Sequence, residues 1–314
     1  MVAGHRFKFI LPESEKLEQA LARQYEPFEE QDGKEVEGDC VKGPANERGS
    51  LIFTLELAKE DFPDEGASIR KCIYDSPTKD GETVVKMYRG DNDVLIETAS
   101  DHRCPISARI LCNNDFSFAR IYLCSRNLSD AVFGINNAAM LLFAFTTATL
   151  GTLEFHSSVV SNDGRAYMFL GHSGAGKSTH SRMWLQYTTG SELMNDDNPI
   201  VRIMPDGNIT VYGSPWSGKT PCYRNISMPL GALVKINQWP GNRIRKMETL
   251  EAYATLLSSV SGFKSDNLDD SSDERNADGL NDSLDKLLSK VSCYHLDCLP
   301  DEGAAVLCSE TIKV

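Results

Sequence analysis

A glycine-rich segment near the middle of the chain has the residue types of a phosphate-binding loop. Residues 171–178 read Gly-His-Ser-Gly-Ala-Gly-Lys-Ser and fit the pattern G-x-x-x-x-G-K-[ST] without a mismatch. Glycines let the main chain curl so that successive N–H groups face phosphate oxygens. The lysine of such a loop contacts the β- and γ-phosphates, and the next hydroxyl binds Mg²⁺. The segment therefore predicts a site for ATP and Mg²⁺, with nucleotide contacts from Gly171, His172, Ser173, Gly174, Ala175, Gly176, Lys177, Ser178 and Thr179.

The residues around this segment favour the same interpretation. Strands are predicted at Glu154–Ser161 and at Arg165–Leu170, whose apolar run Ala166–Leu170 lies directly before the segment. Residues Ser178–Thr188 predict a helix directly after it. A helix that begins at the loop adds its positive N-terminal end to the phosphate site.

A second segment, Gly213–Thr220, fits the same pattern. Pro215 removes one N–H group from this loop, and no helix is predicted in the residues that follow. We therefore reject it as a nucleotide site and expect it beside the active site, where Lys219 contacts the γ-phosphate or an anionic substrate and Trp216 lines the pocket. The alternative interpretation is a rigid surface turn.

An acidic pair lies about 20 residues beyond the loop lysine, at the end of an apolar stretch. Asp196 and Asp197 can reach a cation held by Ser178, so these three residues are the predicted metal ligands. One carboxylate of the pair can also accept a proton from a substrate hydroxyl. The alternative is an ordinary Asp-rich turn. His156 lies in the strand before the loop strand, where a structural histidine is the alternative to a functional one.

Together these elements resemble the superfamily of HPr kinase/phosphorylase and phosphoenolpyruvate carboxykinase. The resemblance covers roughly residues 129–314 and is carried by Phe155–Ser157, Phe169–Thr179 and Asn195–Asp197. Residues Tyr212–Gly218 are also similar to a segment of small HPr-kinase-like proteins. No counterpart is found for the N-terminal part.

The resemblance implies roles for the motif residues. It places His156 beside the loop, Lys177 on the phosphates and Ser178 on Mg²⁺, and it makes Asp197 the proton acceptor in phosphorylation. Asp196 would support the metal. The predicted catalytic residues are thus Asp197, His156 and Lys177. HPr kinases assemble into oligomers, so the resemblance also implies a homo-oligomer.

Two departures separate this chain from HPr kinases. An aspartate usually follows the first loop glycine, and here the residue is His172. The Glu-x-Arg-Gly segment, whose glutamate binds Mg²⁺, is replaced by Thr210–Gly213. Both departures argue against HPr itself as the substrate. Carboxykinases are considerably longer than 314 residues, so that part of the resemblance concerns the fold alone.

Composition restricts the partners. The formal net charge of −13 argues against nucleic-acid binding. The nine cysteines are scattered and form no C-x-x-C motif, which is typical of reduced thiols in a cytoplasmic protein. The longest apolar run, Ala138–Leu150, is too short to span a bilayer, so we expect a buried helix and no membrane contact. No signal peptide is recognised at the N-terminus.

The pattern of elements predicts an α/β fold with two domains. Residues 1–128 are expected to form a smaller, β-rich accessory domain, and residues 129–314 a P-loop domain of the HPr kinase/phosphoenolpyruvate carboxykinase type. The acidic segment Ser265–Asp285 is predicted to be a mobile loop or a short helical insertion at the surface.

We therefore expect an ATP-dependent kinase that transfers the γ-phosphoryl group to a hydroxyl of an unidentified small molecule or protein serine. One alternative is a non-catalytic ATP-binding regulatory or peptide-modification accessory protein. Another is a chain that has lost nucleotide binding.

Overall fold

The computed structural model describes residues 1–30, 51–63, 70–77, 80–125, 127–218, 220–262 and 271–313. It is a mixed α/β protein with two multi-stranded sheets. The predicted α/β class is confirmed at this level. The division of the chain at residue 128 stays a prediction.

The first sheet has seven strands, and all of them precede residue 124. They are β1 (Arg6–Ile10), β2 (Leu51–Leu57), β3 (Lys71–Asp75), β4 (Val84–Arg89), β5 (Asp93–Ala99), β6 (Ala108–Asn113) and β7 (Phe118–Leu123). Their order is β1-β2-β7-β6-β5-β4-β3, with parallel pairing only at β1-β2 and β2-β7 among these described strands. Sequence patterns predict five of the seven and miss β3 and β6. The predicted strands are Arg6–Ile10, Ser50–Leu57, Thr83–Tyr88, Val94–Thr98 and Phe118–Leu123.

Two helices cover one face of the first sheet. Helix α1 (Glu15–Tyr25) and helix α2 (Leu128–Thr147) contact each other, and α2 packs against β2, β6 and β7. Residues Leu128–Leu150 are long and apolar enough to cross a membrane, but 61% of the segment is buried inside the protein. This burial is the pattern of a core helix, which the sequence predicted for Ala138–Leu150.

The second sheet contains nine strands. They are β8 (Thr152–Glu154), β9 (Ser157–Asn162), β10 (Arg165–Leu170), β11 (Glu192–Asp197), β12 (Ile200–Ile203), β13 (Ile209–Tyr212), β14 (Ser227–Gln238), β15 (Arg243–Lys246) and β16 (Cys293–Cys298). Their order is β11-β9-β10-β14-β13-β12-β8, and β16 pairs with both β14 and β15. The long strand β14 pairs with β13 at its start and with β10 and β16 along the rest.

Four strands of this sheet end at the same edge. Strands β10, β14 and β16 are parallel, and β11 runs in the same direction because both β10 and β11 are antiparallel to β9. The carboxyl ends of parallel strands form the usual ligand crevice of α/β sheets. Residues that follow these strands therefore meet at one place.

Helices cover both faces of the second sheet. Helix α3 (Lys177–Tyr187) and helix α6 (Glu302–Ile312) pack on one face, in a core that includes Trp184 and Phe169. Helix α4 (Thr249–Ser259) and helix α5 (Ser271–Lys290) belong to a separate core.

For Ser265–Asp285 the sequence left open a mobile loop or a short helical insertion. From residue 271 onward the loop is wrong, and the helical alternative is correct in type but too short, because α5 is a 20-residue helix. Leu280, Leu284 and Leu287 recur at helical spacing and are almost fully buried, so they fix this helix against its neighbours. Because the segment is rich in Asp, Asn and Ser, this apolar spacing was not recognised from the sequence. Residues 263–270 lie outside the described part of the chain.

Candidate active site

The segment between β10 and α3, Gly171–Gly176, is named the glycine loop. Gly171, Gly174 and Gly176 have φ angles of +145°, +80° and +105°, which residues other than glycine rarely adopt. The loop delivers the chain directly into α3, which begins at Lys177. The first N–H groups of a helix have no intrahelical acceptor, so they remain available to an anion.

The ammonium group of Lys177 is almost buried and has three hydrogen-bond partners. Its side chain lies at the base of the glycine loop, and Lys177 as a whole is only 8% exposed. Its Nζ contacts His156 Nε2 at 2.8 Å, the Gly171 carbonyl at 2.9 Å and the His172 carbonyl at 3.3 Å. Burial lowers the pKa of Lys177, and the charges of Asp197 and Asp196 oppose that change.

These contacts fix the proton positions on His156. An ammonium group can only donate, so His156 Nε2 accepts from Lys177 and the ring proton lies on Nδ1. His156 Nδ1 in turn lies 2.9 Å from Asp197 Oδ1 and donates to it. The result is a continuous hydrogen-bonded chain from the carboxylate of Asp197 through the imidazole of His156 to Lys177.

His156 occupies a break between two strands. The sequence predicted one strand over Glu154–Ser161, but the structure has β8 and β9 separated by Phe155 and His156. The His156 N–H donates to the Ser259 carbonyl at 2.7 Å, and the Phe155 N–H donates to the Pro199 carbonyl at 3.1 Å. These bonds replace the missing ladder contacts and hold the imidazole at the carboxyl edge of the sheet.

Asp197 has an unusual main-chain conformation. Its φ angle is +132°, a region that is costly for a residue with a Cβ atom and that occurs preferentially at functional sites. The preceding carbonyl, of Asp196, accepts bonds from the Gly218 N–H at 2.7 Å and the Ser217 hydroxyl at 3.0 Å. Asn198 Nδ2 donates to Asp197 Oδ2 at 3.2 Å. Neighbouring groups therefore hold the strained residue in place.

The predicted metal ligands have an all-oxygen donor set. Asp196 is buried, Asp197 is one-third exposed along its side chain, and Ser178 is exposed at the start of α3. Within the described ranges, no group of three or more His, Cys, Asp or Glu side chains could hold a metal ion by itself. Hydroxyl and carboxylate oxygens suit Mg²⁺, which usually keeps several waters and takes other ligands from substrate phosphates.

The segment Gly213–Thr220 braces the acidic strand. Ser217 forms an isolated β-bridge with Asp197, and Gly218 lies against the Asp197 side chain. The indole of Trp216 is 2% exposed and donates from Nε1 to the Tyr25 hydroxyl at 3.0 Å. Its ring also packs against Phe143 in the core of the first sheet. The ring is thus a core group, and Lys219 lies outside the described residues.

Three further polar residues, Gln238, Asn195 and Asn198, contribute to the site. Gln238, at the end of β14, donates from Nε2 to the Gly174 carbonyl at 2.8 Å. The buried Asn195 donates to the Ser214 hydroxyl and the Trp216 carbonyl at 3.2 and 3.3 Å. Its Oδ1 accepts from the Asn198 N–H at 3.0 Å. The polar residue Asn195 after an apolar stretch was the available signal, and Gln238 offered none.

No family model matches the chain, and no curated protein matches it significantly.

Proposed function

We propose that this protein is a kinase that binds ATP with Mg²⁺ on the glycine loop and transfers the γ-phosphoryl group to an alcohol. The observation that carries the proposal is the hydrogen-bonded chain Asp197–His156–Lys177 at the mouth of the loop. Its three members come from three separate segments of the chain. A proton acceptor, an orienting imidazole and a phosphate-binding ammonium are thus brought to one edge of the sheet.

The glycine loop supplies the binding half of this function. Its N–H groups and the N-terminal end of α3 provide donors for the phosphates, which compensates locally for a net charge of −13. Lys177 exchanges its bonds to the Gly171 and His172 carbonyls for phosphate oxygens. Ser178, Asp196 and Asp197 are the residues that would hold Mg²⁺. When bound, the ion neutralises charge on the β- and γ-phosphates.

In the proposed reaction Asp197 is the proton acceptor. Its carboxylate is partly exposed and accepts the proton of the acceptor hydroxyl as that oxygen bonds to the γ-phosphorus. The bond between the γ-phosphorus and the oxygen of the ADP leaving group breaks in the same transfer. His156 donates to the other side of the carboxyl group through Nδ1, which keeps Asp197 oriented. Lys177 stabilises the charge that develops on the transferred group.

The proposal extends to the architecture. We propose that the second sheet with its helices is a P-loop domain of the HPr kinase/phosphoenolpyruvate carboxykinase type, and that the first sheet is a smaller accessory domain. The resemblance also supports a homo-oligomer. A cytoplasmic location is supported by the eight described cysteines, which are all free thiols.

Incubation with γ-labelled ATP and fractionated cell extract tests the proposal. We expect label in a new small molecule or protein with the wild-type chain, and none with Lys177→Ala. Tight ATP binding without label in any product would instead support a regulatory ATP-binding protein. Absence of any thermal shift with ATP and Mg²⁺ would mean that nucleotide binding is lost.

A further inference from the structure

A cleft of about 390 Å³ opens at the same sheet edge as the glycine loop. It lies where β14 and β16 end and β15 begins, and it is lined by Asn237, Trp239, Arg243, Arg245, His295 and Asp297. We name it the tryptophan cleft. Its volume falls in the range of small-molecule sites. No step of the proposed phosphoryl transfer uses these residues.

Trp239 differs from the other two tryptophans of the chain. Trp184 and Trp216 are 0% and 2% exposed, whereas Trp239 is 49% exposed. The guanidinium carbon of Arg243 lies 5.2 Å from the centre of the Trp239 ring. An exposed indole beside a guanidinium group offers a flat apolar surface with a cationic border, which suits stacking of a nucleobase.

The polar wall of the tryptophan cleft is held in one arrangement. Asp297 Oδ1 accepts from Asn237 Nδ2 at 2.6 Å, and Asp297 Oδ2 accepts from Arg243 Nε at 2.7 Å. His295 Nε2 lies 3.2 Å from Asp297 Oδ1. Because Asp297 is 8% exposed and engaged on both oxygens, it fixes the side chains of Asn237 and Arg243 before any ligand arrives.

The tryptophan cleft is joined directly to the glycine loop. Gln238, the neighbour of Trp239, donates to the Gly174 carbonyl. Strands β9, β10, β14 and β16 are consecutive, so the His156 end of the site and the cleft are three strand spacings apart, or about 14 Å. Asp197 and His156 lie on one side of the loop and the cleft lies on the other. A triphosphate with its γ-end at Asp197 therefore directs its nucleoside toward Trp239.

We propose that the tryptophan cleft receives the nucleoside of the bound nucleotide, with the base stacked on Trp239. The inference rests on the proposed function because it assumes that the glycine loop holds the phosphates. It assigns the recognition of the base to residues of β14, β15 and β16.

Comparison of ATP with inorganic tripolyphosphate separates the base from the phosphates. Binding of each ligand with Mg²⁺ is measured calorimetrically for wild type, Trp239→Ala and Trp239→Phe. We expect Trp239→Ala to weaken ATP binding about 10-fold, since base–aromatic stacking is lost, and to leave tripolyphosphate binding unchanged. Trp239→Phe should retain most of the ATP affinity.

Tryptophan fluorescence provides a second readout. Trp239 is the exposed indole among the three, so iodide should quench mainly its emission. ATP should protect it from iodide, and tripolyphosphate should not. If wild type and Trp239→Ala bind ATP equally well and ATP does not protect Trp239 from iodide, the proposal that the tryptophan cleft binds the base is overturned. The glycine loop would then remain a phosphate site. If wild type binds neither ligand, the proposed function itself fails.

Discussion

Two segments of this chain have the same eight-residue pattern and different structures. Gly171–Ser178 leaves β10 and enters α3. Gly213–Thr220 follows β13, and residues 221–226 after it form neither helix nor strand. The pattern alone therefore does not make a phosphate site, because the helix that supplies N–H groups and a positive end is part of the site.

Matching positions of the two segments show why they differ. Gly174, with a φ of +80° and open space where a Cβ would lie, corresponds to Trp216, whose ring is buried in the first core. Gly176 has a φ of +105°, whereas Gly218 does not adopt a left-handed conformation. Gly171–Ser178 therefore curls around open space, whereas the described residues of Gly213–Thr220 pack against other residues of the protein. This difference supports the proposal that the first segment is the phosphate site, whereas Ser217 and Gly218 of the second contact the Asp196–Asp197 end of β11.

Among the substitutions that compare the two segments, replacement of Lys177 should give the largest effect, and it should affect both transfer and nucleotide binding. We expect Lys177→Ala to reduce phosphoryl transfer by about 10²–10³-fold and to weaken ATP binding, because the cation on the phosphates is lost. Steady-state kinetics with labelled ATP and a binding titration measure both effects. Lys290→Ala, at an exposed position at the end of α5, is the charge-matched control and should behave as wild type. If Lys177→Ala binds ATP with wild-type affinity, the proposed difference between Gly171–Ser178 as a phosphate site and Gly213–Thr220 as a supporting segment is contradicted.

Replacement of Trp216 should affect stability and leave the chemistry of the site intact. Trp216→Ala removes a buried indole and its bond to Tyr25, so we expect the free energy of unfolding to fall by about 3–5 kcal/mol. Denaturant unfolding measures the change, and Trp216→Phe should lose less. The folded fraction should bind ATP as wild type does. A variant with unchanged stability and reduced ATP affinity would show that the second segment contacts the nucleotide.

Gly218→Ala should produce a smaller, purely catalytic effect. A Cβ at this position would lie 3.1 Å from Asp197 Cγ, which displaces the carboxylate by a few tenths of an ångström. We expect kcat to fall about 10-fold with an unchanged affinity for ATP, since misplacement of a reacting group slows transfer. Gly241→Ala is the matched control, because nothing lies within 4 Å of its added Cβ. Equal kcat values for the two variants would contradict the supporting role of Gly218.

Local patterns predicted much of the fold. Strands β1, β7 and β10 were predicted to the residue, because each combines an apolar or alternating pattern with turn residues at both ends. Helix α5 was predicted only as a short helical insertion, as one of two alternatives, because its apolar residues are interspersed with Asp, Asn and Ser. Its stability comes from packing against other elements. Strand β15 was missed because its pairing with β16 joins distant parts of the sequence.

The candidate site, like the fold, was predictable only in part. The glycine loop was predictable because the residues that form it are consecutive. The approach of Asp197 to the loop was predicted from its position after an apolar stretch, whereas the position of His156 beside Lys177 was suggested only by a family resemblance, since strand order decides it. Gln238 and Gly218 were missed because their contacts depend on where other strands end. The tryptophan of the second segment was expected in a pocket wall, but burial against the first sheet is a tertiary effect that spacing does not reveal.

The substitution Asp197→Asn tests whether Asp197 acts on a phosphoryl group held by the glycine loop. Asparagine tolerates a positive φ better than most residues and keeps the size of the side chain, so the backbone of β11 should be preserved. Single-turnover transfer from γ-labelled ATP to the acceptor found in the extract is measured together with ATP affinity. We expect a loss of about 10²–10⁴-fold in transfer with ATP affinity largely retained. Transfer at the wild-type rate would contradict it.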